Sequence, residues 1–285
     1  MRIIIGYPSL DDARGFLNIS QNRQSKFFSV GEEAAIFPPV MAWAATMLKS
    51  RGHEVTWQDG PTEGITWRDQ LQALCRLRPD LVCWELKTPS APRAYVAVNA
   101  LKQALPLCKI ILCGDHVTAL PDEALAQSRA DVALTGGDYD FGLCDLVAMY
   151  EQPSSGLPDD DLHHHRFIER KPTDTPLTTL PVIDRILCKW RLYSRMGNYL
   201  YRPGTHGYSA RDCWWRHEGG CTFCSWTNTF KNYRQLSVDQ FMADVESAHA
   251  LGAREYFDDA GTWAPPGPWF EKATTLLGQF NGGRR

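Results

Sequence analysis

Within the first 150 residues, five short apolar runs alternate with segments whose apolar positions recur at helical spacing. The runs cover residues 2–6, 53–57, 80–85, 108–113 and 131–135. The segments between and after them are 38–50, 67–77, 92–105, 121–128 and 141–150. Strands that are apolar nearly throughout, rather than at alternate positions, are buried on both faces, and helices are what cover them. The pattern predicts an α/β fold whose residues 1–150 form a doubly wound parallel sheet of the flavodoxin-like kind. Ligands of such sheets bind beyond the carboxyl ends of the strands. That places residues 85–89, 114–118 and 136–138 on a predicted binding rim.

Residues 151–180 break the alternation with Pro153, Gly156, Pro158, a His163-His164-His165 triplet, Pro172 and Pro176. This composition reads as a linker. A second unit, 181–285, then holds two strand–helix pairs. The first strand is expected over 206–211 and ends at a cysteine loop. A helix over 238–251 follows with Ser237 as N-cap, then a strand over 254–257 running into Asp258-Asp259, and a helix over 269–280. Two such pairs leave a sheet edge open, which is a liability. The unit is therefore expected to pack on the first one or on a partner, or to be the start of something larger.

The formal net charge of −3 gives no charge-driven reason to bind nucleic acid or a membrane. The opening apolar run is too short for a signal peptide, and no apolar stretch approaches the roughly 18 residues of a membrane span. Nine cysteines, an odd number without a secretory signal, argue against a disulfide framework and for a cytoplasmic location. Cys75, Cys83, Cys108, Cys113, Cys144 and Cys188 lie in apolar or helical runs and are read as packing residues.

The other three, Cys213, Cys221 and Cys224, are spaced C-x7-C-x2-C with Gly219-Gly220 between the first and second. Structural zinc and ordinary iron–sulfur sites take four protein ligands. Three thiolates on a cubane leave one iron open to a ligand that is not protein. Zinc is the alternative, with His206 or His217 as a fourth donor.

On these residues the chain resembles the cobalamin-binding radical S-adenosylmethionine (radical SAM) enzymes. The cysteine loop carries the more specific likeness. Phe223 stands just before the third cysteine, where that family has an aromatic residue, and Trp214-Trp215 and Trp226 flank the loop as in branches with a lengthened first spacer. The first half adds Phe37-Pro-Pro-Val40, Arg51-Gly-His-Glu-Val55, Cys113-Gly-Asp-His and Asp131-Val-Ala-Leu-Thr-Gly-Gly137. The resemblance implies a cobalamin-binding module at 1–150, a linker at 151–180 and the N-terminal part of a radical SAM partial barrel at 181–285. It implies a [4Fe–4S] cluster on Cys213, Cys221 and Cys224, with S-adenosylmethionine on the open iron. Phe223 would lie near the adenine, and Asp258 and Asp259 near the methionine moiety. Cobalamin would lie against Glu85, Thr88, Gly114, Asp115, His116, Thr118, Gly136 and Gly137.

The activity so implied is reductive cleavage of S-adenosylmethionine to a 5′-deoxyadenosyl radical, with methyl transfer from cobalamin as an extension. The partners implied are a flavodoxin or ferredoxin as electron donor and a small molecule or peptide as substrate. Residues 7–16 lack the D-x-H-x-x-G that supplies a lower cobalt ligand, and Gly114 follows a cysteine rather than a second glycine. The family's barrel has more strand–helix units than the two here, so the chain reads as truncated. The contrasting expectation is a non-catalytic corrinoid-binding module with a structural iron–sulfur or zinc site.

Overall fold

Covering each apolar run on both faces produces the parallel sheet that the alternation predicts. The computed structural model describes residues 1–12, 15–16, 35–152, 167–169, 176–195, 199–224, 229–230 and 232–282. The His163–His165 triplet and Trp226 lie outside them. The strands of the first half are β1 (Arg2–Tyr7), β2 (Glu54–Asp59), β3 (Leu81–Glu85), β4 (Lys109–Cys113) and β5 (Val132–Thr135). With β6 (Phe167–Glu169) they form one six-stranded sheet in the order β2-β1-β3-β4-β5-β6, parallel throughout. Ile3 pairs with Val55 on one side and Leu81 on the other, and Val82 pairs with Ile110, so side chains of like character share each face.

Strand β6 falls within 151–180, the segment expected to be a linker. Three residues there pair with β5 in parallel, Ala133 with Phe167 and Thr135 with Glu169, and add an edge strand.

The covering helices are α1 (Pro39–Ser50), α2 (Trp67–Leu77), α3 (Ala91–Ala104), the short α4 (Asp115–Ala119), α5 (Pro121–Gln127) and α6 (Tyr139–Glu151). Helix α1 is buried over ten consecutive residues because it lies between the sheet and the second unit. Cys83, Cys108, Cys113, Cys144 and Cys188 are buried and Cys75 is half-buried, as their apolar settings require.

In the second unit, β7 (Gly204–Gly207) pairs in parallel with β8 (Glu255–Asp258), joined through α7 (Val238–Ala250) and followed by α8 (Pro268–Asn281). Helix α7 starts on a capping box: Ser237 accepts from the Gln240 N–H while the Gln240 side chain accepts from the Ser237 N–H. Beneath the strands Arg185 donates to both oxygens of Asp244, at 2.8 and 2.6 Å, with Tyr256 donating to the same carboxylate.

The expected strand over 206–211 is broken in two. Ser209 is drawn off the ladder by Asp258, whose carboxylate accepts from the Ser209 N–H at 2.9 Å and its hydroxyl at 2.5 Å. Ala210–Arg211 then pairs antiparallel with Arg234–Gln235.

The open edge does not leave the second unit apart. One continuous buried cluster runs from Ile3 to Ala273. Trp43 donates to the Pro181 carbonyl, and Trp57 donates to the Tyr193 hydroxyl, which donates on to Asp59. Among the described residues no helix is long and apolar enough to cross a membrane.

Candidate functional site

A sheet in this order changes winding direction between β1 and β3, and the crevice beyond that point is where ligands of the fold bind. Tyr7 closes β1 and Glu85 closes β3, so both fall there. The Tyr7 hydroxyl donates to the buried Glu85 carboxylate at 2.5 Å. Lys87 Nζ lies 3.0 Å from the other Glu85 oxygen and 2.7 Å from Asp115. Burial opposes the charge on Lys87, but the Glu85 and Asp115 carboxylates outweigh it and hold the ammonium above its ordinary range.

The remaining rim residues turn inward upon one another. His116 is buried, its Nε2 sharing a hydrogen bond with the Tyr95 hydroxyl at 2.7 Å and its Nδ1 one with Thr88 at 3.2 Å. Burial lowers its pKa, against the pull of Glu123. The Thr118 hydroxyl donates to the Gly114 carbonyl and accepts from the Gly136 N–H.

Gly114 and Gly137 are each crowded by atoms of this chain. Gly114 has φ +103°, and a methyl group on it would lie 2.7 Å from both Glu85 Cγ and the Leu86 carbonyl oxygen. A methyl on Gly137 would lie 2.2 Å from the Phe230 ring, while its N–H donates to the Thr229 carbonyl. Both hollows are therefore filled by this chain. The cavity left between Glu85, Lys87, Asp115, Tyr139, Tyr208, Thr229 and Phe230 is about 20 Å³, room for about one water. That enclosed space is far too small for a corrin, which would have to lie on the open side of the rim. Larger cavities, about 290 Å³ beside Trp43 and Asp244 and about 400 Å³ beside Lys189 and Trp190, are lined by no residue of the rim or the cysteine loop.

Arg211 ties this rim to the cysteine loop. Fully buried, it donates to Asp138 at 2.6 Å and to both oxygens of Asp140 at 2.9 and 2.5 Å, with Trp43 and Phe141 rings against its guanidinium. Burial would raise the Asp138 carboxyl, yet Arg211 and Arg234 hold it below its ordinary value. Two residues on, the chain reaches Cys213. The loop turns through a short 3-10 helix, Trp214–Glu218, and through Gly219 and Gly220, both at positive φ. Cys213, Cys221 and Cys224 are each half-buried and in no disulfide, and Phe223 is 90% exposed.

Among the described residues no three His, Cys, Asp or Glu side chains are gathered around a single metal position. A cubane takes one thiolate per iron, whereas the four ligands of structural zinc converge on one ion. His206 is buried on β7 with its Nδ1 held by Tyr199 at 2.5 Å and its Nε2 without a partner among the described residues. Burial takes the His206 pKa down to about 3.

The segment after β8 lies against the first cysteine. A methyl on Gly261 would meet the Asp212 carbonyl oxygen at 2.8 Å and Cys213 Cβ at 3.3 Å, and Trp214 donates to the Trp263 carbonyl at 2.9 Å. Asp258 has its carboxylate taken up by Ser209 and the Ala260 N–H. Burial raises its pKa, and these donors oppose the rise. Asp259 is buried, its N–H donating to the Gly207 carbonyl.

Tyr233 Oη, Gln235 Nε2 and Thr262 Oγ1, on the segments beside Cys213, are among the buried polar atoms with no hydrogen-bond partner among the described residues. All three are donors, and a sulfur cluster is rich in acceptors, so the loop fits an iron–sulfur group. Sequence reasoning missed these three, together with Tyr7, Lys87 and Arg211. Tyr7 and Arg211 find their partners far off in sequence, and no local pattern marks any of the six.

No family model matches the chain. Over nearly its whole length it is similar in structure to TsrM from Kitasatospora setae, a radical S-adenosylmethionine methyltransferase solved with tryptophan substrate and a SAM analogue. The TM-score is 0.68 at 12% identity, covering 99% of this chain and 51% of that one. The chain has the fold of the cobalamin-dependent radical SAM enzymes. OxsB, solved with aqua-cobalamin and S-adenosylmethionine, matches with a TM-score of 0.63 at 12% identity, over 97% of this chain and 36% of that one. In sequence the chain is 22% identical over 227 residues to the anaerobic magnesium-protoporphyrin IX monomethyl ester cyclase of Rubrivivax gelatinosus, covering 75% of this chain and 40% of that one. It is 23% identical over 235 residues to an uncharacterized methyltransferase of Pyrococcus horikoshii, covering 79% and 49%. The chain thus spans about half the length, or less, of the proteins it resembles.

Proposed function

We propose that this chain carries the cluster-binding part of a radical SAM enzyme, with residues 1–150 as its corrinoid-facing module and 181–285 as the start of its barrel. The observation that carries the reading is the cysteine loop. Three accessible thiols follow the end of β7, and the segment after β8 is pressed against the first of them. Cys213, Cys221 and Cys224 would hold three irons of a [4Fe–4S] cluster, leaving the fourth for the amino and carboxylate groups of S-adenosylmethionine. When bound, that cluster supplies the electron for reductive cleavage of S-adenosylmethionine to a 5′-deoxyadenosyl radical.

The chain's own residues bind, orient and exclude water. Trp214, Trp215 and Trp263 wall the loop, and the exposed Phe223 ring is available to an adenine. Asp258 and Asp259 remain proposed for the methionine moiety, and the Asp258 carboxylate accepts from Ser209 as well. Glu85, Thr88, Gly114, Asp115, His116, Thr118, Gly136 and Gly137 remain the proposed cobalamin rim. No methyl-transfer step is assigned to it. A flavodoxin or ferredoxin is the proposed electron donor, and the substrate is a small molecule or a peptide.

Anaerobic reconstitution with iron and sulfide tests the reading. The chain is expected to take up about four irons, as the [4Fe–4S] assignment requires, and Cys213→Ala, Cys221→Ala or Cys224→Ala to lose most of them. Reductant and S-adenosylmethionine are then expected to yield 5′-deoxyadenosine. Stoichiometric zinc without iron, retained by the cysteine variants, would sink it. Uptake of hydroxocobalamin, measured separately, tests the first unit.

A further inference from the structure

Three donors stand idle around the first cysteine. The ladder that pairs Arg211 with Arg234 and Ala210 with Gln235 runs antiparallel, so its next step sets Tyr233 opposite Asp212, the residue before Cys213. Thr262 follows Gly261, whose α-carbon packs against Asp212 and Cys213 Cβ. Tyr233 Oη, Gln235 Nε2 and Thr262 Oγ1 are each sealed from solvent and unpartnered among the described residues, and the phenol lies beside the Gln235 amide without hydrogen-bond geometry.

A buried donor left unmatched costs free energy, of the order of 1–3 kcal/mol in proteins. Three such donors at one short loop are a concentration that the packing of the chain does not explain. Their common need is an acceptor at the Cys213 end of the loop. Asp258, whose charge Tyr233 feels, is already engaged by Ser209 and Ala260.

We infer that Tyr233, Gln235 and Thr262 are positioning residues that donate hydrogen bonds to sulfur at the Cys213 corner of the cluster and raise its reduction potential. The inference rests on the cluster reading given under Proposed function. One-electron reduction adds negative charge to the sulfurs, so donors aimed at them stabilise the reduced form more than the oxidised one. Removing a donor while keeping its volume makes the cluster harder to reduce.

The test is an EPR-monitored redox titration of the reconstituted full chain, without S-adenosylmethionine, beside Tyr233→Phe, Thr262→Val and Gln235→Met. Each variant is expected to match the unsubstituted chain in iron content and circular dichroism, and to titrate at a more negative potential. For Tyr233→Phe combined with Thr262→Val, the reduction equilibrium is expected to weaken about tenfold, about 59 mV for one electron. ENDOR spectra of the unsubstituted, reduced chain in H2O and D2O give a second measurement that needs no variant. The inference requires exchangeable protons coupled to the cluster, and their absence overturns it. Potentials unmoved in all the variants overturn it as well, including the outcome in which they only weaken S-adenosylmethionine binding. Failure of the unsubstituted chain to take up iron sinks the cluster reading instead, and this inference with it.

Discussion

At the scale of single residues, legibility in the sequence depended on whether a side chain's role is set by its neighbours in the chain. The Ser237 cap was readable because its partner is three residues away, within one helical turn. The cysteine trio could be singled out because its spacing is itself a local property. Asp258 shows the opposite case. Its place before a turn suggested a ligand, but Ser209, far off in sequence, takes both its oxygens.

His206 likewise looked like a zinc donor, and the fold seals it beside Tyr199 and Phe257. Its burial makes a prediction. The native imidazole stays neutral down to about pH 3, whereas the unfolded one protonates near the ordinary value of 6.5. Between those values the unfolded chain binds the extra proton, so acid destabilises the fold by about 1.4 kcal/mol per pH unit. Urea unfolding of His206→Phe from pH 6.5 to pH 4 is expected to show a pH slope shallower by about one proton. An unchanged slope would mean that the imidazole titrates normally in the fold.

At the scale of elements, long apolar runs gave boundaries within a few residues, because burial on both faces leaves a continuous signal. Strand β6 was invisible: three residues among prolines and acidic side chains carry no period. The break between β7 and the Ala210–Arg211 ladder was invisible too, since a tertiary carboxylate makes it. The contact between the Gly136-Gly137 turn and Phe230 joins an element of each unit. Gly137→Ala is expected to destabilise the protein by about 1–3 kcal/mol through overpacking. Phe230→Ala in the same chain is expected to recover part of that loss, and a double-mutant cycle by denaturant unfolding measures the coupling. Additive effects would show that the ring does not fill the glycine's hollow.

At the scale of the molecule, both halves share one core, with α1 packed between the sheet and the second unit. The division at residues 150 and 180 was drawn from composition, which registers polar segments but not what the segments on either side bury together. Arg211 is the strongest polar link across that seam, and breaking a buried pair from one side leaves charge uncompensated. Arg211→Met strips Asp138 and Asp140 of their shared partner and is expected to cost about 3–5 kcal/mol. The measurement is the urea midpoint at constant m-value. A variant as stable as the original would show that the ion network adds nothing to the docking of the two units.

The same guanidinium lies two residues before the first sulfur, so the cysteine loop takes its footing from a sheet to which it does not belong. A chimera that joins this loop to another sheet of the same order must inherit the Asp138-Tyr139-Asp140 turn with it. Without that turn, a bare cation is carried into a dry seam, and the sulfur trio begins from the wrong place.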